Sequence, residues 1–192
     1  FGMFIHWGLY AVPAGVWNGK DINACATWSR HFLNLPAAEW DPLIKQFPDM
    51  ENRRKGNVMA RERMIILFDQ SEAFHGLVIG TGNKTEILLG YSTWYGDSAC
   101  SLNPIGDLYK AQVRQLSRAL GVPAPIIEKA PSADLWIGQT DEQELGFTYD
   151  QADQILYLLI DQRYTPAEVI EAGYPEEYVK AILQRVRRNQ FK

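Results

Sequence analysis

Between Asn57 and Phe74 apolar residues return every three or four positions, and Arg61, Met64, Ile65 and Phe68 fall at i, i+3, i+4 and i+7. That is the spacing of one helical face, so the stretch predicts a helix with Arg61 on its apolar stripe and Arg63 nearly opposite, toward solvent. Gly76-Leu-Val-Ile-Gly80 is a short apolar run between glycines and predicts a buried strand. Phe1 to Trp7 is apolar on both faces, as in a strand of a parallel sheet. Further helices are predicted from Pro36 to Phe47, from near Asn83, from near Asp107, and two or three times between 149 and 190. One of these has a defined start, because Thr165-Pro-Ala-Glu168 supplies an N-cap, a proline at the first helical position and a glutamate three residues after the cap. The order helix, strand, helix implies an α/β sandwich.

The texture changes once along the chain. Residues 1–48 are rich in Trp, Pro and Gly and poor in charge, whereas residues 49–192 carry charged amphipathic helices. The polar run after Phe47-Pro-Asp suits a boundary, placed between 45 and 56. Composition fits a folded globular chain, with 46% hydrophobic and 22% charged residues among 192. A formal net charge of -4 offers no global reason to bind nucleic acid or an anionic membrane, so any anion site must be local. Cys25 and Cys100 are too few and too far apart for a metal cluster or a disulfide framework, which favours a cytoplasmic protein. No signal-peptide pattern or membrane-length apolar run is present, and a chain opening at Phe1 reads as a fragment or a processed product.

Candidate chemistry concentrates after residue 80. Gly80-Thr-Gly-Asn-Lys-Thr-Glu runs from a strand through a glycine turn into a helix, which puts Thr81 and Asn83 where α/β sheets bind ligands. Glu86 could face a cation that accompanies a phosphate, or it could close a capping box with Asn83. Asp107 reads as an N-cap, which places Lys110 in a first helical turn where the macrodipole disfavours a cation. A polyphosphate sharing that helix N-terminus would explain the lysine, and so would a solvent-extended side chain. Arg61 needs a partner on its apolar stripe, either a ligand anion or an ordinary salt bridge. Ser132 lies in the long acidic stretch from Lys129 to Gly146, as a ligand contact or as a turn former. Arg185, Arg187, Arg188 and Lys192 crowd the last turns of a helix, where dipole complementarity accounts for most of the charge. His6, His31 and His75 lack metal-ligand spacing, and no nucleophile elbow, Walker loop or dinucleotide glycine fingerprint occurs.

Several segments together resemble the ammonia-dependent NAD synthetases: Asn57-Val-Met-Ala-Arg-Glu-Arg-Met-Ile, Gly80 to Tyr91, Tyr95-Gly-Asp, Asn103 to Lys110, Pro131-Ser-Ala-Asp-Leu, Glu144 to Tyr149 and Arg188-Asn-Gln-Phe-Lys. The resemblance spans about residues 50–192 and implies a partial doubly wound adenine-nucleotide-binding α/β domain with a helical C-terminal part, as a homodimer. It implies ATP, deamido-NAD and ammonia as substrates, with Mg²⁺: deamido-NAD is adenylated at its nicotinate carboxylate, and ammonia displaces AMP. Matched by motif, Thr81, Lys110 and Ser132 stand at ATP contacts, Glu86 at a magnesium ligand, and Arg61 and Lys192 at deamido-NAD contacts. No catalytic residue is carried over. Trp94 stands where many relatives have a substrate-binding lysine, and Ser101 where many have an aspartate. The family's Ser-Gly-Gly-x-Asp-Ser loop, which grips pyrophosphate, does not occur in the sequence, so the amidation machinery is expected to be incomplete in this chain. Residues 1–48 resemble instead the first barrel strand of family 29 α-L-fucosidases, with His6 at a sugar contact and Thr27-Trp28 where that family has Glu-Trp. The readings left open are a synthetase region, a non-catalytic chimera that only folds or dimerises, and a fucosidase fragment.

Overall fold

In the computed structural model the described residues are Val16–Trp17, Lys20–Asp21, Phe47, 49–133 and 139–191. The strand expected at 1–7, the helix expected from Pro36 up to residue 46, and His6, Cys25, Thr27, Trp28, His31 and Lys192 lie outside them. Among the described residues helices dominate. Strand is confined to a hairpin of β1 (Val16–Trp17) and β2 (Lys20–Asp21), paired antiparallel with Val16 opposite Asp21, and to one parallel bridge between Ile79 and Leu102. The chain divides into two compact units: Phe1–Thr81, Thr93–Pro104 and Asp134–Gln139 form the first, and Gly82–Ser92, Ile105–Ala133 and Thr140–Lys192 the second.

In the first unit the dominant element is α1 (Asn52–Ala73), five residues longer at its start than the sequence pattern predicts. The predicted apolar stripe is not its buried face. Arg61 is exposed, as are Ile65 (61%) and Phe68 (37%), whereas Gly56, Met59 and Ala60 are buried and Arg63, Met64 and Leu67 half-buried. Those six positions also obey helical spacing, and their small members let backbone approach: a Cβ on Gly96 would lie 3.0 Å from that of Ala60. Arg63, expected in solvent, is therefore on the inner face, and Arg61 on the outer. The helix ends in a Schellman motif, with His75 at φ 51 and the Gly76 N–H bonded to the Ser71 carbonyl at 2.8 Å. The pattern at Gly76–Gly80 predicts a short buried strand, yet only a bridge forms. Leu77 is 69% exposed, and pairing consists of the Ser101 and Leu102 N–H groups to the Val78 carbonyl (2.9 and 3.3 Å) and the Gly80 N–H to the Leu102 carbonyl (2.7 Å). Pro104, which has no N–H to donate, follows two residues after Leu102.

The second unit is a helical cluster: α2 (Lys84–Leu89), α3 (Lys110–Ala119), α4 (Ala124–Ile127), α5 (Asp141–Leu145), α6 (Tyr149–Leu156), α7 (Pro166–Glu171) and α8 (Glu176–Asn189). The acidic stretch from Lys129 to Gly146 thus ends in α5. After α6 the chain makes a five-residue π-helical turn, Tyr157–Asp161. Leu89, Tyr149, Ile155, Leu156, Val169, Val179 and Ile182 are fully buried at 0% exposure and form the centre of the core. Burying a side chain of this size contributes about 1.5–3 kcal/mol, which is what holds helices of five to eight residues that would not persist alone. The predicted start of α7 is present, with the Thr165 hydroxyl accepting from the Glu168 N–H and Pro166 at the first position.

Gly90 terminates α2 at φ 62, and the helix α8 is clamped on the same spot: Arg185 Nε and Asn189 Nδ2 both donate to the Leu89 carbonyl, at 3.3 and 3.1 Å. A Cβ on Gly90 would lie 2.4 Å from that of Asn189. Gly90→Ala combines left-handed strain of about 1–2 kcal/mol with forced displacement of α8. A loss of about 2–4 kcal/mol is expected in denaturant unfolding; a change below 1 kcal/mol would show that α8 yields freely.

Candidate functional site

The heads of α2 and α3 carry two of the predicted site residues and bring them together. Asn83 caps α2, its side-chain oxygen accepting from the Glu86 N–H (3.0 Å) while Glu86 Oε2 accepts from the Asn83 N–H (3.1 Å). The capping box therefore forms, and it leaves Glu86 Oε1 free to accept from Lys110 Nζ at 2.9 Å. Both side chains are mostly shielded, at 13% and 22% exposure. The Lys110 ammonium also lies 5.0 Å from the centre of the Tyr149 ring, over its electron-rich face. These two partners, rather than solvent extension, account for a lysine in a first helical turn.

Asp107 is not the cap of α3. Its carboxylate is 97% exposed and sits 3.3 Å from Lys84 Nζ, while Tyr109 holds the cap position with its N–H bonded to Gln112 Oε1 at 2.8 Å. The first helical N–H groups are satisfied from elsewhere in the unit. The Lys110 N–H donates to Thr85 Oγ1 (3.0 Å), the Ala111 N–H donates to Asp153 Oδ2 (2.7 Å), and the Thr85 hydroxyl donates to Asp153 Oδ1. A carboxylate from α6 thus occupies the place at the helix N-terminus where a polyphosphate was one of the two readings. An anion recruited here meets the lysine ammonium, not these N–H groups. Burial pushes the Asp153 carboxyl above the ordinary range, opposed by the hydrogen bonds from Thr85 and Ala111.

Behind this pair lies a tyrosine and carboxylate network. Buried Asp141 accepts from the hydroxyls of Tyr149 and Tyr91, each at 3.0 Å, and Tyr91 also donates to Glu144 Oε2 at 2.9 Å. Burial raises the Asp141 carboxyl, and burial first, with Glu86 and Asp141 beside it, raises the Tyr149 hydroxyl far above its usual value. On the other flank Lys84 pairs with Asp161 at 2.7 Å and lies 4.9 Å from the Tyr109 ring, and the Tyr109 hydroxyl donates to the same Asp161. The Lys84 partner holds the Asp161 carboxyl below the usual range. The π-helical turn is what sets Asp161 at this place, a feature with no sequence signature.

Arg61 and Thr81 belong to the first unit, Ser132 to the second. Arg61 Nε donates to the Trp94 carbonyl at 3.1 Å, and the guanidinium lines an open groove with Phe47, Met50, Arg54, Asn57 and Val58. The loop carrying Trp94 is tied to α1 by the Thr93 hydroxyl, which donates to Asn57 Oδ1 at 2.8 Å, and it presents Trp94 and Tyr95 stacked with centroids 5.1 Å apart. Thr81 is half-buried two residues after the Ile79 bridge. Ser132 is half-buried beside Pro131, whose carbonyl accepts from the Asp141 N–H at 3.1 Å. Thr85, Tyr91, Asp141, Tyr149 and Asp153 were not singled out by sequence reasoning. Three of them, Thr85, Tyr91 and Tyr149, fall inside the quoted motifs, but hydrogen-bonding residues in helices carry no signal of their partners. Among the described residues no group of three or more His, Cys, Asp or Glu could hold a metal, and no helix is long and apolar enough to cross a membrane.

A family model described as NAD synthase matches residues 36–192. The NH3-dependent NAD+ synthetase of Trichlorobacter lovleyi is 60% identical over 152 residues, which cover 79% of this chain and 56% of that protein. The NH3-dependent NAD+ synthetase of Fusobacterium nucleatum is 53% identical over 152 residues, 79% of this chain and 59% of that protein. The chain thus spans little more than half the length of these curated relatives. Among solved structures, an NMN synthetase from Francisella tularensis aligns with a TM-score of 0.64 at 32% identity, covering 83% of this chain and 64% of that one. The NH3-dependent NAD synthetase from Campylobacter jejuni, in complex with the nitrate ion, aligns with a TM-score of 0.63 at 32% identity over 86% of this chain and 66% of that one. A match over residues 36–192 covers most of the chain, and its structural neighbours are α/β proteins of the same kind: this protein belongs to the NAD synthase family.

Proposed function

We propose that this chain carries the lysine and carboxylate side of a site that amidates deamido-NAD with ammonia at the expense of ATP. The observation that carries this reading is the Lys110 to Glu86 pair, 2.9 Å apart at the head of α3, at the two motif positions where the family has an ATP contact and a metal ligand. In that reaction the nicotinate carboxylate attacks the α-phosphorus, pyrophosphate leaves, and ammonia attacks the acyl carbon of the adenylate to expel AMP. Lys110 leaves Glu86 for the β- and γ-phosphates and neutralises charge that grows on the departing pyrophosphate. By motif position Thr81 and Ser132 are matched to nucleotide contacts, and Arg61 and Lys192 to deamido-NAD contacts.

Glu86 fits a magnesium ion only in partnership with nucleotide. Its Oε1 faces the Lys110 ammonium and its Oε2 faces the Asn83 N–H, so Glu86 would hold a cation only with the lysine turned to a phosphate. Mg²⁺ binds through one or two carboxylates plus substrate phosphates, and there it would share the neutralisation of the pyrophosphate. The doubly wound sheet of the family is the frame in which the parallel Ile79 to Leu102 bridge makes sense. A homodimer would cover the exposed Ile65 and Phe68 on α1. Residues 1–35 lie outside the family match, and no release of nitrophenol from an aryl fucoside is expected of the chain.

The Ser-Gly-Gly-x-Asp-Ser loop does not occur in these 192 residues, so turnover requires that loop to be supplied from outside them. The test is to titrate the chain with ATP and Mg²⁺ and then follow NAD and pyrophosphate with deamido-NAD and ammonia present. Saturable ATP binding with little or no NAD formed is the expected result. Absence of ATP binding would overturn the assignment and leave the reading of a chain that only folds or dimerises.

A further inference from the structure

We propose that Thr85 and Asp153 are positioning residues for Lys110, acting through the first two N–H groups of α3. The inference rests on the reading of Lys110 as a phosphate contact and extends it to residues that touch no substrate.

Three facts support it. The Thr85 side chain is fully buried and its hydroxyl is used twice, accepting from the Lys110 N–H and donating to Asp153. The second carboxylate oxygen of Asp153 accepts from the Ala111 N–H at 2.7 Å, so one buried side chain from α6 and one from α2 bracket consecutive residues at the start of α3. Glu86, the partner of the Lys110 ammonium, is on α2 with Thr85, one residue further along. The backbone of Lys110 and the end of its side chain are therefore both referred to α2. A lysine has a flexible stem with several rotatable bonds, so where its ammonium can reach depends on where its backbone is held. Asp107, the residue best placed in sequence to cap α3, does not do so, and Tyr109 at the cap uses its hydroxyl on Asp161. The clamp is the part of the unit that fixes this turn.

The alternative is that the same bonds only stabilise the unit, and a double-mutant cycle separates the two. Thr85→Val keeps the shape and removes the hydroxyl, while Thr85→Ser keeps the hydroxyl. With the full chain and ATP as the probe, Thr85→Val is expected to weaken binding about tenfold and Thr85→Ser to stay near the parent, from the worth of one buried hydrogen bond. In a Lys110→Ala background Thr85→Val should cost nothing further, because its effect runs through the lysine. The same tenfold loss in that background, or no loss in the parent, overturns the proposal. Hydrogen exchange of the Lys110 and Ala111 amides gives a reading that does not depend on nucleotide. Faster exchange at both in Thr85→Val, restored in Thr85→Ser, is expected, and unchanged exchange overturns the clamp. If the parent chain binds no ATP, the functional reading fails while the amide result still decides whether the clamp exists.

Discussion

Tyr149→Ala should be the most destabilising single change in the second unit, with an expected loss of about 3–5 kcal/mol in denaturant unfolding. The ring is fully buried, at 0% exposure, at the start of α6, where three functions meet. It packs in the core with Leu89, Ile155, Leu156 and Ile182. It lies under the Lys110 ammonium, and its hydroxyl donates to Asp141. Truncation opens a cavity, removes a donor from a buried carboxylate and strips a cation of its aromatic partner. Tyr149→Phe separates the terms, since it keeps the ring and loses only the hydroxyl, at an expected cost of about 1–2 kcal/mol. Equal losses in the two variants would mean that the hydrogen bond, and not the packing, carries the position.

Lys110→Ala is expected to lower ATP affinity by roughly 10- to 100-fold, the worth of one charge-assisted contact to phosphate. It should also destabilise the chain, because Glu86, only 13% exposed, loses its cation. Lys110→Ala combined with Glu86→Gln removes the uncompensated charge and should regain most of that stability without regaining affinity. A double variant that recovers ATP binding would show that the lysine serves only the fold. An affinity unchanged in the single variant would remove Lys110 from the site. Both quantities are read by titration and by denaturant unfolding of the same samples.

These expectations depend on features that the one-dimensional pattern shows unevenly. Local signals were legible where both partners lie within a few residues. Asn83 with Glu86, and Thr165 with Glu168, form the capping boxes that their spacing implies, because such a box is closed by one turn of backbone and needs no tertiary help. The apolar run at Gly76–Gly80 was legible as extended chain but not as a bridge, since strand length depends on the partner available, here a short segment ended by Pro104. Which face of α1 is inner was not legible. Both stripes obey helical spacing, Met59, Met64 and Leu67 on one and Ile65 and Phe68 on the other, and periodicity has no term that ranks two apolar faces.

The family, the helices that start near Asn83, Asp107 and Thr165 and the presence of Lys110 in a first helical turn follow from the chain itself, because motifs and turn chemistry are local in sequence. Whether that lysine is bare or paired, and what satisfies the helix it heads, was decided only by tertiary structure. Its ammonium partner lies 24 positions back at Glu86, and the carboxylate that caps its helix lies beyond it at Asp153, on α6. A hydrogen bond between residues this far apart exists only after the core of Leu89, Tyr149, Ile155 and Ile182 has brought their helices together. The physical reason is that hydrophobic burial is non-directional and assembles the helices, while the short-ranged, directional bonds that define the site form only on the assembled frame.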